Sequence, residues 1–151
     1  MNLPGEDRVR ASTDPEINER NDQRLEQRVR FYATQDKETI SERIAELDRE
    51  WDIERALETT AASFTLAGTF LGIVSSRRWL ALPVIVSGFL LNHALKGWCP
   101  PLPVLRKAGL RTRIEIERER YALKLLRGDF ASAENGPQGS DPKSIVRTIQ
   151  C

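Results

Sequence analysis

Two uncharged stretches, residues 59–76 and 79–95, follow one another with only Arg77 and Arg78 between them. Nothing else in the chain limits its fold so sharply. A run of about 17–18 residues is just long enough to span the hydrocarbon layer as a helix, and Leu57 and residues 93–98 extend the pair with tolerable side chains. The tandem predicts a helical hairpin that crosses a membrane twice. Trp79 and Trp98 bracket the second stretch, about 28 Å apart on a helix, so both rings reach an interface. The competing soluble arrangement packs the same two helices inside a bundle, but the remaining chain is too charged to cover so apolar a pair.

Average composition conceals this. At 151 residues, a net charge of +1 and a mean hydropathy of −0.45, the chain averages to one small polar domain. The charge is unevenly placed. Residues 1–58 carry 10 basic and 16 acidic side chains, whereas residues 96–127 carry nine basic and three acidic ones. The two arms are therefore suited to attract each other or different partners. No basic, apolar and small-residue succession opens the chain, so the hairpin itself is expected to direct it to the membrane. Eight cations flank the hairpin (Arg43, Arg49, Arg55, Lys96, Arg106, Lys107, Arg111 and Arg113) against Arg77 and Arg78 in the turn. That bias places both termini in the cytoplasm, where Cys99 and Cys151 stay reduced.

The arms read as amphipathic helices on both sides of the hairpin, which makes the fold class all-α. Residues 1–14 form a flexible tail, 15–58 acidic cytoplasmic helices, 59–98 the hairpin, 99–130 a basic interfacial segment with an amphipathic helix, and 131–151 a second flexible tail. Asp14-Pro15 starts a helix to about Tyr32. Thr39 and Glu42 form a capping-box pattern for another helix. No proline or glycine follows until Gly68, so that helix is expected to run straight into the first span. Along it Ile40, Ile44, Leu47 and Trp51 form one apolar stripe, which requires a cover. After the spans, Pro100, Pro101 and Pro103 turn the chain along the surface. There Leu102, Val104 and Leu105 dip into the interface while Arg106, Lys107 and Arg111, with Trp79 and Trp98, meet lipid and anionic headgroups. Thr112 and Glu115 open a last helix that Gly128 closes. Its Ile114, Tyr121 and Leu125 also require a partner, and the acidic stripe helix fits it in both charge and apolarity. Residues 131–143 are rich in Gly, Pro, Ser and Asn, and Asp141-Pro142 is suited to start a short terminal turn.

Within the spans, Gly68 and Gly72 stand four apart, and Ser87 and Gly88 supply small positions in the second. Small residues at that spacing let helices approach closely, within the hairpin, in a homo-oligomer or in a larger complex. His93 and Cys99 are the side chains most capable of chemistry. His93 reads as a structural residue satisfied by Asn92 and interfacial water, or as a proton carrier. Cys99, beside Lys96 and not far from Arg106, reads as a packed thiol or as a reactive one. No ligand set completes a metal site, no nucleotide-binding loop or nucleophile with its base is present, and no cofactor is implied. Acids interleave the arginines, which argues against nucleic acid.

The charged entry helix, the glycine-containing first span, the Trp-bounded second span and the Gly97-Trp98-Cys99-Pro100 ending resemble the small bacterial two-span domain family called YgaP-like. The likeness covers residues 51–109. It implies a bacterial inner-membrane hairpin that self-associates. Sulfurtransferase activity in that family belongs to a separate rhodanese domain with its own cysteine loop, so none is carried over. Three functions follow: a non-enzymatic membrane anchor or accessory subunit that binds other membrane-protein subunits, a membrane thiol carrier using Cys99, and an ion path at His93.

Overall fold

A computed structural model describes residues 7–130, and every regular element among them is helical. The ends expected to be flexible, 1–6 and 131–151, with the turn at Asp141-Pro142 and Cys151, lie outside the described residues. Two compact units interleave along the chain. Residues 7–22 with Trp51–Ile116 form the first, and Gln23–Glu50 with residues 117–130 form the second. Divisions at residues 14, 58, 98 and 130, read from local composition, miss this because the units are made by contacts between distant segments.

In the first unit, α1 (Arg8–Ala11) occupies what was expected to be tail. Asp7 Oδ1 accepts from the N–H groups of Val9 and Arg10 at 3.1 Å each, and Val9 is buried with Ile53, Leu57, Cys99 and Leu102. A single anchoring apolar residue has no period to detect, which is why this turn does not stand out in the sequence. Helix α4 (Ile53–Val74) starts at Asp52, whose carboxylate accepts from Arg55 N–H at 2.6 Å. A 3₁₀ turn (Arg77–Leu80) leads into α5 (Ala81–Lys96). Ile53–Val74 and Arg77–Lys96 are each long and apolar enough to cross a membrane. A Cβ on Gly68 would lie 2.7 Å from Pro83 Cδ and 3.1 Å from Leu82 Cβ, and one on Gly72 would collide with Leu80. Both glycines therefore sit where α4 touches the chain that follows it. Gly97 ends α5 in the left-handed region, φ 74°, with its N–H donating to His93 O at 2.7 Å. Leu102 opens α6 (Leu102–Lys107) and is buried in the core, and Leu105 packs on that core. Neither leucine faces a lipid interface as expected; of the three, only Val104 is well exposed.

The second unit takes its helices from α2 (Pro15–Tyr32), α3 (Lys37–Leu47) and α7 (Arg113–Arg127). Asp36, not Thr39, caps α3, accepting from Thr39 N–H at 2.8 Å. The expected continuous rod into the first span is also broken. Helix α3 stops at Leu47 and α4 restarts at Ile53, because Asp52 satisfies the amides of a new first turn more readily than it continues an old helix. Ile40, Ile44 and Leu47 are buried, while Trp51 falls beyond the helix and is half-exposed beneath the Arg55 guanidinium, 4.8 Å away. Helix α7 runs beside α3, with Arg127 Nη1 donating to Ser41 Oγ at 2.8 Å and Arg120 Nη1 to Asp48 Oδ1 at 2.5 Å. The predicted pairing of the two charged helices is thus observed, but through a different face of α7. Glu119, Leu123 and Lys124 are its buried positions here, whereas Tyr121 and Leu125 are exposed. Leu47→Ala should destabilise the second unit by about 2–4 kcal/mol in urea denaturation, and Trp51→Ala should cost the first unit, to which Trp51 belongs, no more than about 1 kcal/mol. Equal losses would restore Trp51 to the stripe.

Candidate functional site

The seam between α4 and α5 is built from small residues on one side only. Gly68 and Gly72 are buried in it, as the spacing predicts. Ser87 and Gly88 are not: both are exposed, and Gly88 has open space around its Cβ position. The half-buried positions of α5 are 82, 83, 86, 90, 92 and 93; all but 92 form one stripe at helical spacing, and the helical rotation carries 87 and 88 away from it.

The end of this seam, around His93, is the most differentiated part of the first unit. A cavity of about 270 Å³ opens there between Leu57, Ala61, Phe64, Phe89 and Pro100, with an almost wholly apolar wall. A second cavity of about 460 Å³, the more polar of the two, has a mixed wall that includes Arg8, Glu54, Glu58 and Gly97 with Val9 and Ile114. His93 and Leu90 line both. The His93 Nδ1 atom is buried and has no hydrogen-bond partner among the described residues. Asn92, expected to satisfy it, instead donates from Nδ2 to Trp98 O at 2.8 Å. Arg8 Nη1 donates to Ala94 O at 2.7 Å and Ser12 Oγ to Lys96 O at 3.1 Å, so α1 caps the otherwise unpaired carbonyls at the end of α5.

Cys99 is buried in the core, 3% exposed. Burial pushes its thiol above the ordinary value, with the Leu102 backbone N–H opposing in part. The nearby cations expected to lower it do not act that way, because Arg106 is committed elsewhere. Arg106 is 2% exposed and grips Glu115 with both terminal nitrogens, Nη1 to Oε2 at 2.7 Å and Nη2 to Oε1 at 2.8 Å. Its Nη2 also donates to Asn18 Oδ1 at 2.9 Å. Glu115 in turn completes the predicted capping box: Thr112 N–H donates to Oε2 at 3.0 Å and Glu115 N–H to Thr112 Oγ1 at 3.2 Å. Arg10 Nη1 adds a bond to Oε1 at 2.6 Å. Burial raises the Glu115 pKa, but the bonds from Arg106, Thr112 and Arg10 outweigh it and hold the carboxyl below its ordinary value of 4.5. A depressed folded-state pKa gives stability that is whole above the unfolded value and is lost as pH falls through the folded one. The first unit should therefore lose stability on acidification below about pH 4, and Glu115→Gln should flatten that limb in a pH-dependent denaturation series.

The lipid-facing expectations are corrected in part. Arg106 and Arg111 are buried, 2% and 8% exposed, and cannot meet headgroups, because Glu115 draws Arg106 inward and the Arg111 carbonyl is tied to Ile53 N–H at 3.0 Å. Trp79, Trp98 and Lys107 remain exposed. Of the residues expected to bind partners, Ile40, Ile44 and Leu47 are already covered within the second unit, while Ile114, Tyr121 and Leu125 remain exposed. Sequence reasoning missed Glu119, fully buried, which accepts from Arg28 Nε at 2.9 Å and from Arg43 Nε and Nη2 at 3.1 and 3.0 Å. Its spacing four before Leu123 on α7 was the available signal.

Comparison with family models, with curated proteins and with solved structures gave no match to this chain.

Proposed function

We propose that the chain is a non-enzymatic membrane protein, a two-span hairpin that anchors a polar helical module and serves as an accessory subunit of a membrane complex. The observation that carries this reading is the exposure of the apolar pair: none of the most apolar window of Arg77–Lys96 is buried, and only 22% of that of Ile53–Val74. Leu66, Ile73, Val84 and Leu95 are each about 70% exposed or more. Core helices of a soluble bundle would be covered, and leaving several such side chains in water costs roughly 1.5–3 kcal/mol each. Hydrocarbon removes that cost.

The ion pair between Arg43 and Glu119 supports the topology. These residues lie on either side of both apolar helices in the sequence, so they meet only if the chain between them crosses an even number of times. Two crossings satisfy that condition and agree with the cation bias. The thiol-carrier alternative needs an accessible thiolate, and the burial and raised pKa of Cys99 oppose it. The exposed Tyr121 and Leu125 of α7 remain as the surface for a partner subunit.

The chain should stay with membranes after alkaline carbonate extraction. A reporter enzyme active only outside the cytoplasm should be silent when fused after Cys151 and active when inserted between Ser76 and Arg77. Release by carbonate sinks the membrane reading; a strong signal after Cys151 sinks the orientation.

A further inference from the structure

The apolar and polar cavities beside His93 share two walls, and the function proposed above leaves both without a role. Their chemistries differ sharply. The apolar one follows α4 and α5 from Phe64 and Phe89 toward Pro100, and the polar one carries Arg8 with Glu54 and Glu58. Asp7 also borders it, but its carboxylate is committed to α1 and, at 2.5 Å, to Thr112 Oγ1. Glu54 Oε2 accepts the Arg113 N–H at 3.2 Å. Glu58 is exposed and forms no ion pair among the described residues. Arg8 gives one donor to Ala94 O, and among the described residues its remaining guanidinium donors have no hydrogen-bond acceptor.

We infer that the two adjacent cavities together form a binding site for one zwitterionic lipid with an ammonium-bearing headgroup, its chain along the α4–α5 groove, its ammonium at Glu58 and Glu54, and its phosphate at Arg8. This rests on the membrane reading for its biological setting. Leu90 and His93 form the wall that the two cavities share, which sets the apolar groove directly beside the charged one. Charge selects among lipids. With Asp7, Glu54 and Glu58 against Arg8, acids outnumber cations in the polar cavity, so an anionic headgroup is repelled while an ammonium with an adjacent phosphate meets both signs. That selectivity departs from the anionic preference expected of the basic segment after Pro103. A combined volume in the range of small-molecule pockets, about 300–1,000 Å³, accommodates a headgroup and part of one chain.

The test uses the full chain purified in non-ionic detergent, with dihexanoyl phosphatidylethanolamine and dihexanoyl phosphatidylglycerol as probes and native mass spectrometry as the readout. The ethanolamine lipid should be retained roughly tenfold more strongly than the glycerol lipid. Glu58→Gln should weaken the ethanolamine lipid by roughly tenfold and leave the glycerol lipid unchanged. Thr60→Trp, at an exposed position lining the apolar cavity, should weaken both, with helicity by circular dichroism unchanged. Equal retention of the two lipids by the unmodified chain, or an unchanged preference in Glu58→Gln, overturns the site. These short-chain probes need no bilayer. If carbonate releases the chain, the membrane reading fails while the titration still decides the site.

Discussion

Replacing Glu119 with alanine should cost the second unit about 3 kcal/mol or more, close to the most that one polar side chain can be worth. Its carboxylate is fully buried and is shared by Arg28 and Arg43, which arrive from two different helices. Removing it leaves two guanidinium groups facing each other across the space it occupied, each less than a third exposed. Loss of the shared buried counter-charge dominates, beyond the lost hydrogen bonds, although Arg43 keeps its pairing with Glu46 at 2.8 Å. Glu119→Gln keeps the shape and one acceptor but not the charge, so it should fall between wild type and alanine. Hydrogen exchange at α3 amides and urea denaturation report the change. A loss below about 1 kcal/mol in the alanine variant would mean that water already screens the pair.

Gly97→Ala should be the most damaging change in the first unit. At φ 74° an L-residue is strained by about 1–2 kcal/mol, and the new Cβ would in addition fall inside contact distance of the Arg8 carbonyl. Because that obstacle is backbone, it cannot swing aside as a side chain would, and overpacking adds roughly 1–3 kcal/mol. Gly109→Ala isolates the first component, since Gly109 also has positive φ, 95°, but open space around its Cβ position. Thermal unfolding should therefore show Gly97→Ala well below Gly109→Ala. If the two variants melt together, α1 does not press on the end of α5.

Much of the architecture was legible because it is local. The apolar pair, Gly68 and Gly72, the Thr112/Glu115 capping box and the Gly128 stop all announce themselves within a few residues. The stripe of Ile40, Ile44 and Leu47 was legible too, but its continuation to Trp51 was not, because an unbroken pattern without Gly or Pro gave no weight to Asp52 as a new cap. What escaped entirely depends on partners far away in sequence. Arg106 looked like a headgroup ligand from its neighbours, and only the return of Glu115, Arg10 and Asn18 to the same place turns it into a buried structural cation. Val9 and the shared walls of the His93 cavities are of the same kind. No window along the chain contains them.

The interleaving of the units also orders events during synthesis. Arg28 and Arg43 leave the ribosome long before Glu119, and the whole of Trp51–Ile116, both apolar helices included, must follow before their shared carboxylate exists. At roughly 5–20 residues per second that delay is on the order of several seconds. During it the apolar face of α3 has no α7 to cover it and is open to chaperones and proteases. If the apolar pair spans a membrane as proposed, a nascent chain whose second apolar helix stalls short of insertion leaves Glu119 on the wrong side of the bilayer from both arginines. On the proposed two-span reading, closure of the second unit would act as a checkpoint on membrane insertion, and quality control that recognises a bare α3 would detect failed insertion without touching either apolar helix.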